Sequence, residues 1–406
     1  MLVWVIAAVF VALELALSGR YGFMQDELYF IEAGRHLAFG YADQPPLTPL
    51  VDRIMDLLFG VTPTAVRVVP ALAGGAVVVL AARYAALFGA GRLGRVIAAL
   101  LTACSPVLLG SDHLSNTTPL DLLTWPVVAL CVAVALLRDR PRWWLGGGVA
   151  AGIGLENDNL MLLLSRWPLP ALSCSGDGRI CGSWRVASTL IVAYVLTWVP
   201  GKSYYSVGIA PELLAAGSVA TERWIARARR PRLRTAAVAA APLAGCLVLM
   251  PLYLPVVPVT DVHSLPSSAQ RLSNVGDTIG WPQLVSAVAA QDAALARAGQ
   301  PPTSIFTGAY GEAGALDILG SGYRLPPVLS GHNTCWMWGP GQASDRTVLV
   351  VDALGQLSPY FASCRLLATF NPPYHVQNDW TDLQIGVCTG PVARWNVIWP
   401  YLRHYD

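Results

Sequence analysis

The strongest constraint on this chain is a series of apolar runs, each close to the length of a membrane crossing, punctuated by clusters of arginine. A helix needs about 20 mostly apolar residues to cross roughly 30 Å of hydrocarbon. Such runs occupy residues 1–18, 61–82, 96–109, 120–137, 143–164, 186–199, 205–225 and 236–254, and are expected to form about eight spans. Several contain Gly or Pro, which membrane helices tolerate. Charged residues make up 13% of the chain, about half the share in a typical soluble domain. That balance excludes a disordered or collagen-like chain and a nucleic-acid binder. The first run lacks the basic leader and small-residue cleavage site of a secretory signal, so a retained helix is expected. Beyond residue 257 the runs shorten and polar residues return. The expected organisation is an α-helical transmembrane domain at 1–257, with an acidic first external loop at 19–60, and a soluble α/β domain at 258–406.

Arginine placement sets the expected orientation. Arg83, Arg92 and Arg95 form one cluster, Arg138, Arg140 and Arg142 a second, and Arg223 to Arg234 a third. Placing all three in the cytoplasm puts loop 19–60 and the C-terminal domain outside an integral, multi-pass protein of the plasma membrane. The count fails once, because an odd number of crossings is needed between Leu164 and Val186. Residues 165–184 offer none, so either a nearby segment is re-entrant or helices have been lost there. The residues favour loss.

Candidate chemistry begins in the first external loop, RYGFMQDELYFIEAGRHLAFGYADQPPLTPL, with the adjacent acids Asp26 and Glu27. Apolar spacing from Leu28 to Leu37 predicts a short interfacial helix. A carboxylate held at the membrane boundary can serve as a general base toward a hydroxyl, or it can simply favour a helix start. A second acidic patch, Asp112, His113 and Asp121, lies near helix ends, where acids mark substrate paths or cap helices. Adjacency of Asp112 and His113 does not supply the convergent ligands of a metal site, and whether a divalent ion assists is left open. Lys202 is the single lysine. With the hydroxyls of Tyr204 and Tyr205 it could bind a lipid phosphate, or the three could form an interfacial belt.

MQDELYF followed by GYADQPPLTPL resembles the first extracytoplasmic loop of the family 39 membrane glycosyltransferases, in an actinobacterial form. The similarity continues through SDHLSNTTPLDLLTW, GIGLEN, GKSYYSVGIAPELLAAGSVATERW, YGEAGALD, SGHN and WPYLRHYD. The resemblance implies a GT-C fold, no certain cofactor, and transfer of a sugar from a polyprenyl-phosphate carrier to a cell-envelope or protein acceptor outside. It implies Asp26 as catalytic base and Glu27 as an orienting or substrate-binding group. It also places Asp121 at the sugar, with Asp112 and His113 nearby, and Lys202 and Tyr205 at the carrier phosphate. One base suffices for such a transfer because the phosphate leaves as an anion, whereas a glycoside hydrolase needs two separated carboxylates. Asp158 stands where a basic residue is expected, just before the anomalous 165–184 stretch. A shortened, inactive homologue acting as a membrane scaffold therefore stays open. A transporter is disfavoured, because no internal repeat is visible and the acids cluster at one face.

In the C-terminal domain, strands are expected at 304–307, 347–351 and 384–387 and a helix at 281–298. TGAYGEAGALD has glycines ahead of a possible helix but no nucleotide-binding pattern. SGHNTCWMWGP could stack on a sugar or form local core, with His332 and Asn333 as candidates for acceptor contacts. Cys364 and Cys388, beside strand-like runs, are expected to pair and to leave Cys335 reduced.

Overall fold

A computed structural model describes residues 1–159, 208–266, 275–341 and 344–405. Lys202, Tyr204, Tyr205, the expected span at 186–199 and the whole 165–184 stretch lie outside the described residues. The chain divides into two compact units, neither continuous in sequence. One comprises Met1–Ser18, Gln44–Thr48 and Val66–Leu254, the other Gly19–Asp43, Pro49–Ala65 and Pro255–Asp406.

The first unit is helical. Among the described residues, three helices are long and apolar enough to cross a membrane: Pro63–Leu87, Thr117–Leu137 and Pro231–Tyr253. The run expected as one span at 96–109 is instead a broken pair, Arg92–Ala103 and Pro106–Asp112, bent by 57°. The break has a local cause. Proline drives the preceding residue out of helical backbone, and Ser105 is accordingly extended, with φ −69° and ψ 122°. The N-terminal apolar helix, Leu2–Leu17, is shorter, and Arg142–Leu155 and Ala210–Ala226 complete the unit.

Polar groups stitch these helices together. The Glu222 carboxylate accepts the Gly91 N–H at the start of helix Arg92–Ala103, at 2.7 Å. Tyr84, fully buried, donates its hydroxyl to the Pro126 carbonyl at 2.6 Å. Gly74 sits where any Cβ would overlap the Asp112 carboxylate and the Phe10 ring, so glycine there permits close approach of three segments.

The second unit is built on a five-stranded sheet: β1 Ser304–Thr307, β2 Val328–Ser330, β3 Thr347–Val351, β4 Phe361–Phe370 and β5 Leu383–Pro391. The order is β2-β1-β3-β5-β4, with β2, β1 and β3 parallel and β5 antiparallel to both β3 and β4. The parallel strands β1 and β3 read as short β-branched or apolar runs because both are buried. Phe306, Val348, Val350, Trp395 and Trp399 form the centre of the core on one face. Trp336 and Trp399 lock it by donating each indole N–H to the other's carbonyl, at 2.9 Å both ways. Cys364 and Cys388 are opposite each other on β4 and β5 and are joined by a disulfide, while Cys335 is a buried free thiol.

The glycines of YGEAGALD lie inside helix Tyr310–Leu319 rather than ahead of it. Their use is steric. A Cβ at Gly314 would stand 2.9 Å from the Leu28 carbonyl oxygen, and one at Gly311 would stand 2.7 Å from Gln25 Cβ. The missing side chains let helix Gln25–Arg35 pack directly on helix Tyr310–Leu319.

Candidate active site

The acidic pair opens helix Gln25–Arg35, three residues earlier than the apolar spacing alone suggests. Met24 is the N-cap. Glu27 occupies the third helical position and reaches back, its Oε2 accepting the Met24 N–H at 2.8 Å. This is the acidic half of a capping arrangement and leaves Glu27 fully buried. Asp26, one residue earlier, is half-buried. Its Oδ1 accepts the Tyr310 hydroxyl at 2.8 Å, across 284 residues of sequence. Two neighbouring acids therefore have different surroundings: Glu27 is committed to the helix start, while Asp26 is held by a phenol.

Around that phenol, residues from four sequence-distant segments converge. The Tyr310 ring lies 4.6 Å from that of Tyr29 and 4.7 Å from that of His332, which stacks in turn on His404 at 4.6 Å. The YGEAGALD, SGHN and WPYLRHYD motifs thus meet beside the acidic helix. Tyr29 donates its hydroxyl to Asp43 Oδ1 at 2.6 Å, and the Asn333 amide donates to Asp43 Oδ2 at 3.4 Å. Burial, with the Asp43 carboxylate adding to it, pushes the Tyr29 phenol far above its ordinary range, so it remains a donor. Cys335, nearby, is likewise kept as a thiol, chiefly by burial. Helix Tyr310–Leu319 starts at Ala309, whose N–H is accepted by Glu312 at 2.9 Å. Burial pushes Glu312 up to about 8, with Asp352 adding to the rise and the Ala309 N–H opposing it.

The second acidic patch belongs to the helical unit. Asp112 and His113 are buried rather than water-facing caps, at 0% and 4% exposure. His113 Nδ1 is hydrogen-bonded to Glu14 on the first helix at 2.8 Å, and neither oxygen of Asp112 has a hydrogen-bond partner among the described residues. Asp121 has another role. Asn157 of GLEN donates to Asp121 Oδ1 and to the Thr117 carbonyl, both at 2.8 Å, and accepts the Thr48 hydroxyl at 2.7 Å. One buried amide therefore ties PPLTP, TTPLD and GLEN together. Among the described residues, no group of three or more His, Cys, Asp or Glu side chains could hold a metal ion.

The functional residues that sequence reasoning missed are Tyr310, Glu14 and Asn157. Glu14 interrupts an apolar run, a usable signal. Tyr310 gave no such signal, because its partner is 284 residues away.

Comparison with solved structures identifies the fold. Arabinofuranosyltransferase AftD from Mycobacteria superposes over 96% of this chain and 40% of its own, with 14% identity and a TM-score of 0.53. ArnT from Cupriavidus metallidurans in the apo state aligns over 94% of this chain and 97% of its own, with 12% identity and a TM-score of 0.47. No curated protein sequence matches the chain. The fold is that of the GT-C class: a multi-pass helical membrane unit combined with a small mixed-sheet unit. Residues 43–198 match the family described as Dolichyl-phosphate-mannose-protein mannosyltransferase.

Proposed function

We propose that the chain transfers a sugar from a polyprenyl-phosphate carrier to a hydroxyl of a cell-envelope or protein acceptor at the outer face of the membrane, with Asp26 as base. The observation that carries this reading is the Asp26–Tyr310 hydrogen bond, which fixes a half-buried carboxylate at the start of a helix. The matching family's description supports the donor class, since dolichyl phosphate is a polyprenyl phosphate. In the reaction the acceptor O–H gives its proton to Asp26, the oxygen attacks the anomeric carbon, and the phosphate leaves with the bonding pair. Inversion follows from a single displacement. Glu27 acts through the helix it caps rather than on substrate. Lys202, Tyr204 and Tyr205 receive the carrier phosphate, and Asp121, Asp112 and His113 are further candidate substrate-binding groups.

The test is sugar transfer from polyprenyl-phosphate mannose and polyprenyl-phosphate arabinose by the full chain in membranes. Loss of a positioned general base costs about 10²–10⁴-fold, and Asp26→Asn is expected to lose that much turnover while folding normally. Lys202→Ala is expected to weaken donor use instead. Turnover by Asp26→Asn at the parent rate overturns the assignment.

A further inference from the structure

Beside the acidic helix, the second unit contains a cavity of about 340 Å³ that the transfer reaction as described does not use. Tyr29, Tyr310 and Trp338 supply aromatic surface, and Glu32 and Asp317 supply carboxylates. Binding sites for small ligands span about 300–1,000 Å³, so this one holds a single ring-sized ligand rather than a lipid chain. We propose that it is a glycan site, taking one uncharged sugar unit of the acceptor. The proposal deepens the transferase reading and rests on it for the word acceptor.

The lining chemistry selects the ligand. A carboxylate accepts hydrogen bonds, and Asp317, which burial pushes up to about 7, can also donate one; sugar hydroxyls do both and match that pair. Aromatic rings suit the apolar C–H faces of a sugar ring. Among the described residues, no lysine or arginine lines the cavity, which disfavours the donor's phosphate. An ammonium is the rival donor. However, Glu32 already has Arg35 Nη1 at 3.7 Å, which offsets its charge, and His36 Nδ1 at 3.4 Å. Its Oε2, the oxygen facing Arg35, is buried and has no hydrogen-bond partner among the described residues. Trp338 is braced by the His36 ring at 4.5 Å.

Position selects the acceptor over the donor. Tyr310 lines the cavity and donates to Asp26, so a sugar bound there sits one side chain from the proposed base. The wall beside it is Ala313 and Gly314, small residues that leave room for a ring.

Saturation-transfer NMR on the full chain in detergent tests this, with methyl α-mannopyranoside, methyl α-arabinofuranoside and methyl glucosaminide as probes. At least one of the two neutral glycosides is expected to bind saturably, with a Kd of roughly 1 mM as befits so few atoms. Trp338→Ala and Glu32→Gln are each expected to weaken that binding at least tenfold, and Trp338→Phe to preserve it. Should Trp338→Ala fail to fold, Glu32→Gln and Asp317→Asn carry the test. The proposal falls if neither neutral glycoside binds, if only the aminated one does, or if binding ignores the cavity variants. Asp26→Asn separates the two readings. Binding that survives in this variant while transfer is lost supports both, whereas binding that depends on the cavity in a chain whose transfer ignores Asp26 keeps the glycan site and removes the base.

Discussion

At the residue scale, Asp26 depends on one distant phenol. A hydrogen bond to a charged group contributes about 1.5–3 kcal/mol, and a rate changes tenfold for about 1.4 kcal/mol. Tyr310→Phe, which removes the hydroxyl that donates to Asp26, is therefore expected to lower kcat by roughly tenfold or more, with the donor KM unchanged. Steady-state kinetics with varied donor checks this, and a change confined to KM would place Tyr310 in substrate binding instead. Glu312, which starts the helix carrying Tyr310, makes a second prediction. Burial holds it near pKa 8 against an ordinary 4.5, so the folded state retains a proton that the unfolded state has released. Its stabilising effect is complete below about pH 4.5 and is lost as pH rises through about 8. Glu312→Gln keeps an acceptor for the Ala309 N–H but cannot ionise. The Tm of the parent should fall across that window, and the variant's Tm should fall less steeply.

At the scale of elements, the packing of helix Tyr310–Leu319 on helix Gln25–Arg35 is decided by glycine. Alanine in a helix gains up to about 1 kcal/mol over glycine, but overpacking costs about 1–3 kcal/mol. A Cβ at Gly314 would press on the Leu28 backbone, 2.9 Å from its carbonyl oxygen, and backbone cannot swing aside as a side chain can. Gly314→Ala is expected to destabilise the unit by about 1 kcal/mol net, measured by thermal or denaturant unfolding, and to lower transfer because one helix carries Asp26 and the other carries Tyr310, which donates to it. The same contact explains what could be read in advance. The sheet runs at 304–307 and 347–351 and the helix Trp281–Arg297 are legible because apolar periodicity is local. The steric purpose of Gly311 and Gly314 is not, because the clash lies with residues nearly 300 positions earlier. The bend at Ser105-Pro106 could have been read from the proline, but the apolar run masks it. Glu27's capping role was likewise within reach, since an acid at the third helical position is a known start signal. The burial of Asp112 and His113 was not, because a polar pair beside an apolar run reads equally well as a water-facing cap.

At the scale of the whole molecule, the transferase reading requires a particular sidedness. Arginine is retained in the cytoplasm because moving it across the membrane is costly, and the cluster at Arg227, Arg229, Arg230, Arg232 and Arg234 borders the apolar helix Pro231–Tyr253. That helix is long and apolar enough to cross once and is followed at Pro255 by the last stretch of the second unit. A lipid-linked sugar displayed on the outer leaflet can meet Asp26 only if the unit carrying Asp26 and Tyr310 is outside as well. Val392 is exposed in that unit, and Ala228, within the arginine cluster, is half-buried, so each can report its own side through an introduced cysteine. With a membrane-impermeant maleimide on intact cells, Val392→Cys is expected to label and Ala228→Cys to label only after permeabilisation, each measured against the parent chain. The reverse pattern would leave the carboxylate facing the cytoplasm, away from an outer-leaflet donor, and the proposed reaction would then have to run on the inner face with a different acceptor.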